Sequence, residues 1–290
     1  MRLIVCVKAV PDPGIPVGAG PGDPAWDPAS WIWDLNPPDG AALTVAAGLR
    51  GTEGTVTAVS LGAHAPQALR RALAWGADRA VLLADRGGED LDIVTTARIL
   101  AAAAGRLGFD AILCGHAAID GQGESLPAVL AGFLECPLVS PVVEAWREAD
   151  VLVARTRLPH GRRALLQPRL PAVLAVEGTP PRVDATLPVH LQALTAPLDV
   201  WDVSSLGLGA VAPQVSRLDL GPPRPRPKKI FTPDSRLSAA ERLRQLMTGG
   251  RVEKKAELFT GTGAQSAEHI LGALRRERII PDGDQLKTDN

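Results

Sequence analysis

Residues 111–125 read Ala-Ile-Leu-Cys-Gly-His-Ala-Ala-Ile-Asp-Gly-Gln-Gly-Glu-Ser. The first five, Ala111–Gly115, are continuously apolar, the pattern of a strand buried on both faces of a parallel sheet. A polar loop with two glycines follows, and a helix is expected to begin near Glu124. In an open α/β sheet, ligands bind beyond the carboxyl ends of the strands. Glycines let a backbone approach a ligand closely, and the start of the next helix offers free N–H groups and a positive dipole end to a phosphate. The residues alone leave two readings open here, a nucleotide-binding loop and an ordinary tight turn. The loop is not a P-loop, because no Gly-Lys-Ser/Thr follows it, and it does not match the dinucleotide fingerprint. Asp120 suits either a ribose hydroxyl or the loop's own backbone N–H groups. His116 is either a ligand contact or a solvated side chain.

The same strand signature recurs upstream. Arg2–Lys8 (RLIVCVK), Thr55–Leu61 (TVTAVSL) and Ala80–Ala84 (AVLLA) read as strands, with helices expected over Asp39–Arg50, Pro66–Trp75 and Leu91–Leu107. Such alternation predicts βαβ units and a doubly wound, mostly parallel sheet. Leu138–Val143, Val151–Arg157, Arg163–Leu166 and Ala172–Val176 are strand-like with short polar breaks, and predict an antiparallel addition. Asn36-Pro37-Pro38-Asp39 leads into the first helix. Asn36 or Asp39 is expected to cap it, with proline favourable at the entrance. The functional alternative has Asn36 reaching a base or phosphate.

Regularity falls after about Pro180. Gly221–Lys229 (GPPRPRPKK) holds four prolines in nine residues and predicts an extended linker. Two short helices are expected beyond it. Ser238–Met247 carries a capping-box pattern with Glu241, and Gln265–Arg276 ends on basic residues that suit the helix dipole. The domain boundary is therefore set at 220, with 1–220 a nucleotide-binding α/β domain and 221–290 a linker and helical arm. Leu237, Leu243, Leu246, Leu258, Ile270, Leu271 and Leu274 give the arm apolar faces.

Bulk properties narrow the function. Of 290 residues, 46% are hydrophobic but only 3% aromatic, and no Tyr occurs, so the core must be aliphatic. A formal net charge of -1 speaks against nucleic acid as partner. Cys6, Cys114 and Cys136 lack metal-ligand spacing and are expected to be reduced thiols in a cytoplasmic protein. The apolar run at the start ends at Lys8, too short for a signal peptide, and prolines within 125–143 speak against a membrane helix. The acidic residues around Gly87–Asp92 read as a solvated loop. No nucleophile elbow, HExxH or cysteine pair is present, and the five histidines are scattered. Stand-alone catalysis is not expected.

Six segments, in order, resemble the beta subunits of electron transfer flavoproteins. They are Val5-Cys6-Val7-Lys8, Asn36-Pro37, Ala72–Arg79 (ALAWGADR), the loop Gly115–Gly121, Leu170-Pro171-Ala172-Val173, and Ala185-Thr186-Leu187-Pro188. The resemblance covers roughly the first 210 residues. It implies a fold similar to adenine-nucleotide alpha-hydrolase-like domains and pairing with an alpha subunit that carries the electron-transferring FAD. It also implies a structural AMP in this chain, or a second FAD in the same pocket in electron-bifurcating members. It places Cys6, Asn36, Pro37, Pro38, Asp39, Leu61, Gly115, His116, Ala117, Ala118, Ile119, Asp120, Gly121, Gln122, Gly123, Glu124, Ser125 and Leu126 around the nucleotide. Leu187 matches the leucine that anchors partner dehydrogenases such as acyl-CoA dehydrogenases, and Lys228–Asn290 becomes an arm on the alpha subunit. A universal-stress-like regulator that binds ATP is the alternative of similar fold.

The departures bear on function. Val189–Thr195 lacks the lysines the family shows after that leucine, so partner choice should differ. Thr44 and Val45 replace glutamates. Gln122-Gly123-Glu124-Ser125 fits neither the AMP nor the FAD version of the loop, and Glu124 puts a negative charge where a phosphate is expected.

Overall fold

The computed structural model describes residues 1–15, 27–84, 91–178, 185–209, 211–215, 232–247, 258–277 and 279–280. The linker at 221–229 and most of the acidic loop at 87–92 lie outside the described residues. The chain divides into two compact units, Met1–Pro223 and Arg224–Asn290.

In the first unit, chain order runs β1 (Arg2–Cys6), β2 (Ala9–Pro11), β3 (Trp33–Leu35), α1 (Pro37–Arg50), β4 (Thr55–Leu61), α2 (Ala65–Ala74), β5 (Arg79–Ala84), α3 (Ile93–Leu107), β6 (Ala111–Gly115), α4 (Leu126–Phe133), β7 (Leu138–Glu148), β8 (Val151–Arg157), β9 (Arg163–Leu166), β10 (Ala172–Val176), α5 (Leu187–Thr195) and β11 (Asp199–Asp202). Nine strands form one sheet in the order β11-β5-β4-β1-β6-β10-β7-β8-β9, and β2 and β3 form a separate hairpin. From β11 to β7 every pairing is parallel, whereas β7–β8 and β8–β9 are antiparallel. This is the doubly wound sheet with an antiparallel addition that the alternation predicts.

Two cores explain the unbroken apolar strands. Leu3, Val5 and Leu113 pack under Leu43, Leu49 and Leu69 on the side of α1 and α2. Ile4, Cys6, Ile112 and Cys114 pack under Ile99, Leu100 and Leu130 on the side of α3 and α4. Neither face of β1 or β6 meets water, so neither can alternate polar and apolar residues.

Helix ends follow local chemistry. Pro37 and Pro38 open α1, where a missing N–H is tolerated, and Gly51 closes it at φ 67°. Asp92 caps α3 by accepting from Thr95 N at 2.8 Å. The second carboxylate oxygen of Asp92 accepts from Gln214 N and Val215 N, which ties residues 214–215 to the start of that helix.

Three details differ from expectation. β10 belongs to the parallel core, between β6 and β7, and not to the antiparallel addition. All five of its residues are buried, as a central position requires. β11 and the β2–β3 hairpin escape periodicity because each is only three or four residues long. The helix after the glycine loop begins at Leu126 rather than Glu124.

The second unit contains α6 (Ala239–Met247) and α7 (Gly263–Arg276). Ser238 and Glu241 make the expected capping box, with Glu241 N donating to Ser238 Oγ at 3.3 Å and Ser238 N to Glu241 Oε2 at 3.0 Å. Thr262 and Gln265 make a second. Leu243, Leu246, Met247, Ile270 and Leu271 are exposed.

Candidate functional site

The sheet order contains a reversal. From β1 the chain moves outward through β4 and β5, then returns to lay β6 on the other flank of β1. The crevice beyond the carboxyl ends of β1 and β6 is therefore a topological switch point, where open α/β sheets hold ligands. Lys8 leaves β1 there, and the loop His116–Ser125 leaves β6.

The first turn of α1 closes the floor of this crevice. Asp39 is 6% exposed. Its carboxylate accepts from Lys8 N at 2.8 Å through Oδ2 and from Gly115 N at 3.0 Å through Oδ1. One side chain thus joins the ends of the two strands that flank the switch point. Burial pushes the Asp39 carboxyl up to about 7, against the downward pull of hydrogen bonds from Lys8, Asn36 and Gly115 and of the Lys8 charge. Asn36 is also buried. Its Nδ2 donates to Ala117 O at 3.1 Å, its Oδ1 accepts from Ile119 N at 3.2 Å, and its backbone N donates to Lys8 O at 2.9 Å.

Neither side chain caps the helix as the sequence suggests. Asn36 stands at the N-cap position, but its side chain makes no cap bond. Both side chains are used across the crevice because the free backbone groups of two strand ends converge there. Pro37 and Pro38 are half-buried in the same turn.

Gly115 is where the sheet and this helix touch. A Cβ there would stand 2.3 Å from Asp39 Oδ1, 2.8 Å from Asp39 N and 2.8 Å from Pro38 C. Glycine allows the close approach. Cys6 and Cys114 face each other in register and are buried towards α3 and α4, which leaves Cys6 little surface for a ligand. Hydrogen bonding to Cys6, burial and nearby negative charge raise the Cys114 thiol, so it stays protonated.

The loop itself opens outward. His116 N donates to Val176 O at 2.7 Å, and Gln122 N to Ala118 O at 2.8 Å with Gln122 at φ 52°. Ala117, Ala118 and Ile119 are half-buried, whereas Asp120 to Ser125 are exposed. Gly121 and Gly123 have nothing within 4 Å of a Cβ position, so the space beside them is open. Lys8 Nζ reaches Asp120 at 2.6 and 2.8 Å. Glu124 turns to the ring of His116, with 3.6 Å between Oε2 and Nε2, and Ser140 Oγ lies 3.4 Å from His116 Nδ1. At the N-terminus of α4 no side chain caps the backbone, and Pro127 follows Leu126. Leu61 ends β4 half-buried on the same edge of the sheet.

The sequence reading missed Lys8 as a site residue, although a lysine directly after a buried strand was the available signal. Trp33 stacks on His64 at the start of α2 with ring centroids 3.8 Å apart and planes 7° apart, a contact the sequence did not announce. The short β3 gave no periodic signal there.

Leu187 lies away from the loop. It opens α5, is 70% exposed, and shares an exposed apolar stripe with Leu191 and Leu194. Arg70 holds the other end of this helix by donating to Ala193 O at 3.0 Å and Ala196 O at 3.2 Å. Among the described residues no cluster of His, Cys, Asp and Glu suits a metal ion, and no helix is long and apolar enough to cross a membrane.

This arrangement agrees with comparisons to known proteins. The profile of the electron transfer flavoprotein domain matches residues 32–206, over half of the chain. The chain is 34% identical over 176 residues to the electron transfer flavoprotein subunit beta of Thermoanaerobacterium thermosaccharolyticum, a match spanning 60% of this chain and 67% of that one. It is 34% identical to the acryloyl-CoA reductase electron transfer subunit gamma of Anaerotignum propionicum, over 56% of this chain and 62% of that one. It is 28% identical, over 97% of its length and all of the relative's, to the caffeyl-CoA reductase-Etf complex subunit CarD of Acetobacterium woodii. The first two matches thus span about two-thirds or less of the relatives' own lengths. The switch-point crevice, the profile match that runs through its glycine loop, and the 34% identity to an electron transfer flavoprotein subunit beta lead to one conclusion: the chain belongs to the electron transfer flavoprotein beta subunit family.

Proposed function

We propose that the chain is the beta subunit of a cytoplasmic electron transfer flavoprotein, holding AMP in the β1–β6 crevice and pairing with an FAD-carrying alpha subunit. The observation that carries this reading is the open, glycine-bearing loop Gly121–Leu126 at the switch point. Its backbone and the uncapped start of α4 offer N–H groups to an anion. Lys8 supplies the nearby cation. Glu124 does not spoil the fit, because its carboxylate is directed at His116. On this reading Asp120 and the backbone of 116–119 serve the ribose, and Asn36 and Asp39 support the loop through their bonds to Lys8, Gly115, Ala117 and Ile119. The flavin of the alpha subunit supplies the electron chemistry when bound. This chain's residues bind, orient and dock.

A second reading, FAD in place of AMP in this crevice, is favoured by the open space beside Gly121 and Gly123 and by the near full-length match to a subunit of a caffeyl-CoA reductase-Etf complex. Release of nucleotide from the co-purified alpha–beta complex by denaturation, followed by identification by mass, tests both. One FAD and one AMP per heterodimer is the expected result. Two FAD and no AMP establishes the second reading, and no adenine nucleotide beyond the alpha subunit's FAD rejects the crevice as a nucleotide site.

Leu187 is proposed to dock donor dehydrogenases. A single exposed leucine on a rigid helix end can carry a disproportionate share of docking energy. Leu187→Ala should slow reduction at limiting acyl-CoA dehydrogenase by about tenfold, consistent with an anchor worth about 1–2 kcal/mol. Nucleotide content and alpha pairing should be unchanged. Wild-type reduction kinetics would remove that role.

A further inference from the structure

The antiparallel addition ends in a strand, β9, that is largely exposed. Leu152 and Ala154 of β8 enter the core under α1. The alternate residues, Val151, Val153, Arg155 and Arg157, point to the other face, where Val153 is buried, Leu165 stands opposite Arg155 and Arg163 opposite Arg157. Leu165 is 62% exposed, Val151 is exposed on the same face, and Leu166, on the opposite face beside Ala154, and Leu170, beyond the strand, are exposed as well. β9 ends the sheet order, so the outer backbone groups of residues 163–166 have no strand partner among the described residues. An apolar open edge of this kind is a template for another strand.

Charge narrows the chemistry of the occupant. Arg155 pairs with Glu144 and Arg157 with Glu177. Among the described residues no carboxylate pairs with Arg162, Arg163 or Arg169, which lie on or beside β9; Arg162 and Arg163 donate only to nearby backbone carbonyls. A second copy of this chain would bring three more such guanidinium groups to the same edge with no acid to offset them, and like charges across a strand pair are destabilising. The edge instead suits a strand that is apolar and carries acidic residues.

We infer that the β9 edge is the docking surface for the alpha subunit, which adds a strand bearing acidic side chains against Arg162, Arg163 and Arg169. This rests on the beta-subunit reading above. The test uses the full chain co-expressed with a tagged family alpha subunit from the same organism. Two variants are made, Leu165→Glu and the double charge reversal Arg163→Glu/Arg169→Glu. All three positions are solvent-exposed, and soluble yield of each chain reports on folding. Each variant should weaken assembly at least tenfold in dilution titrations, and the charge reversal should also flatten the salt dependence of association. Leu187→Ala should assemble as wild type does. If wild type assembles and both variants assemble equally well, the surface is wrong while the beta-subunit reading stands. If wild type itself fails to assemble, that reading falls. If the full chain alone forms a dimer that Leu165→Glu abolishes, the edge belongs to a second copy and the inference is overturned.

Discussion

Asp39→Ala should unfold on the order of 10 °C below wild type and purify without its nucleotide. The carboxylate satisfies two backbone N–H groups, of Lys8 and Gly115, at the inner ends of β1 and β6. Each buried donor left without a partner costs about 1–3 kcal/mol, and in a unit of this size about 1 kcal/mol moves the midpoint by roughly 2–4 °C. Those strand ends carry the loop from His116 to Ser125, so the ligand site should loosen with them. Thermal unfolding of the complex together with nucleotide content checks both consequences.

The same carboxyl makes a pH signature. Burial raises it from 3.8 to about 7 in the folded chain. Between those values the unfolded chain has lost the proton and the folded chain retains it. Folding therefore takes up a proton, and stability falls as pH rises across that window, by at most about 1.4 kcal/mol per pH unit. Asp39→Asn cannot titrate. It should be less stable than wild type at low pH, because its amide nitrogen cannot accept a hydrogen bond whereas both oxygens of the protonated carboxyl can, and the gap should narrow as pH climbs from about 4 to 7. Parallel stability curves across this range would show that the folded carboxyl is already ionised at pH 4.

Gly115→Ala should be nearly as damaging by a different route. The added methyl would overlap Asp39 Oδ1 at 2.3 Å, and backbone atoms of Pro38 and Asp39 at 2.8 Å. Backbone on both sides means that relief requires moving α1 away from β6. Overpacking of this kind costs about 1–3 kcal/mol, occasionally more. The shift also strains the bonds from Asn36 to Ala117 and Ile119. Gly121→Ala is the matched comparison, since nothing lies within 4 Å of its Cβ position, and it should change stability by less than about 0.5 kcal/mol, as surface substitutions do. Equal denaturation midpoints for the two variants would show that the contact at Gly115 relaxes freely.

The contrast between the two glycines shows how far the chain could be read in one dimension. Both stand in the same loop region and look alike in sequence. One is a contact between a strand end and a helix start 76 residues earlier in the chain, and the other faces open space. Asp39 and Asn36 likewise look like helix caps, because Asx residues near prolines usually are. Lys8 reads in the sequence only as the end of the first strand, until the fold sets its ammonium group against Asp120.

What the sequence determined by itself is what local patterns report. Continuous apolar runs at Arg2–Cys6, Thr55–Leu61 and Ala111–Gly115 specify strands covered on both faces, and their alternation with helices specifies a parallel, doubly wound sheet. Serine with glutamate three residues on specifies the start of α6. The order of strands is not a local property. β10 slips between β6 and β7 although it follows the antiparallel hairpins in the chain, and β6 returns to the far flank of β1. Only the tertiary structure decided those placements, because they depend on which buried faces fit together. With them it decided where the switch point falls, which backbone N–H groups are left for Asp39, and which sheet edge stays open at Arg163–Leu166.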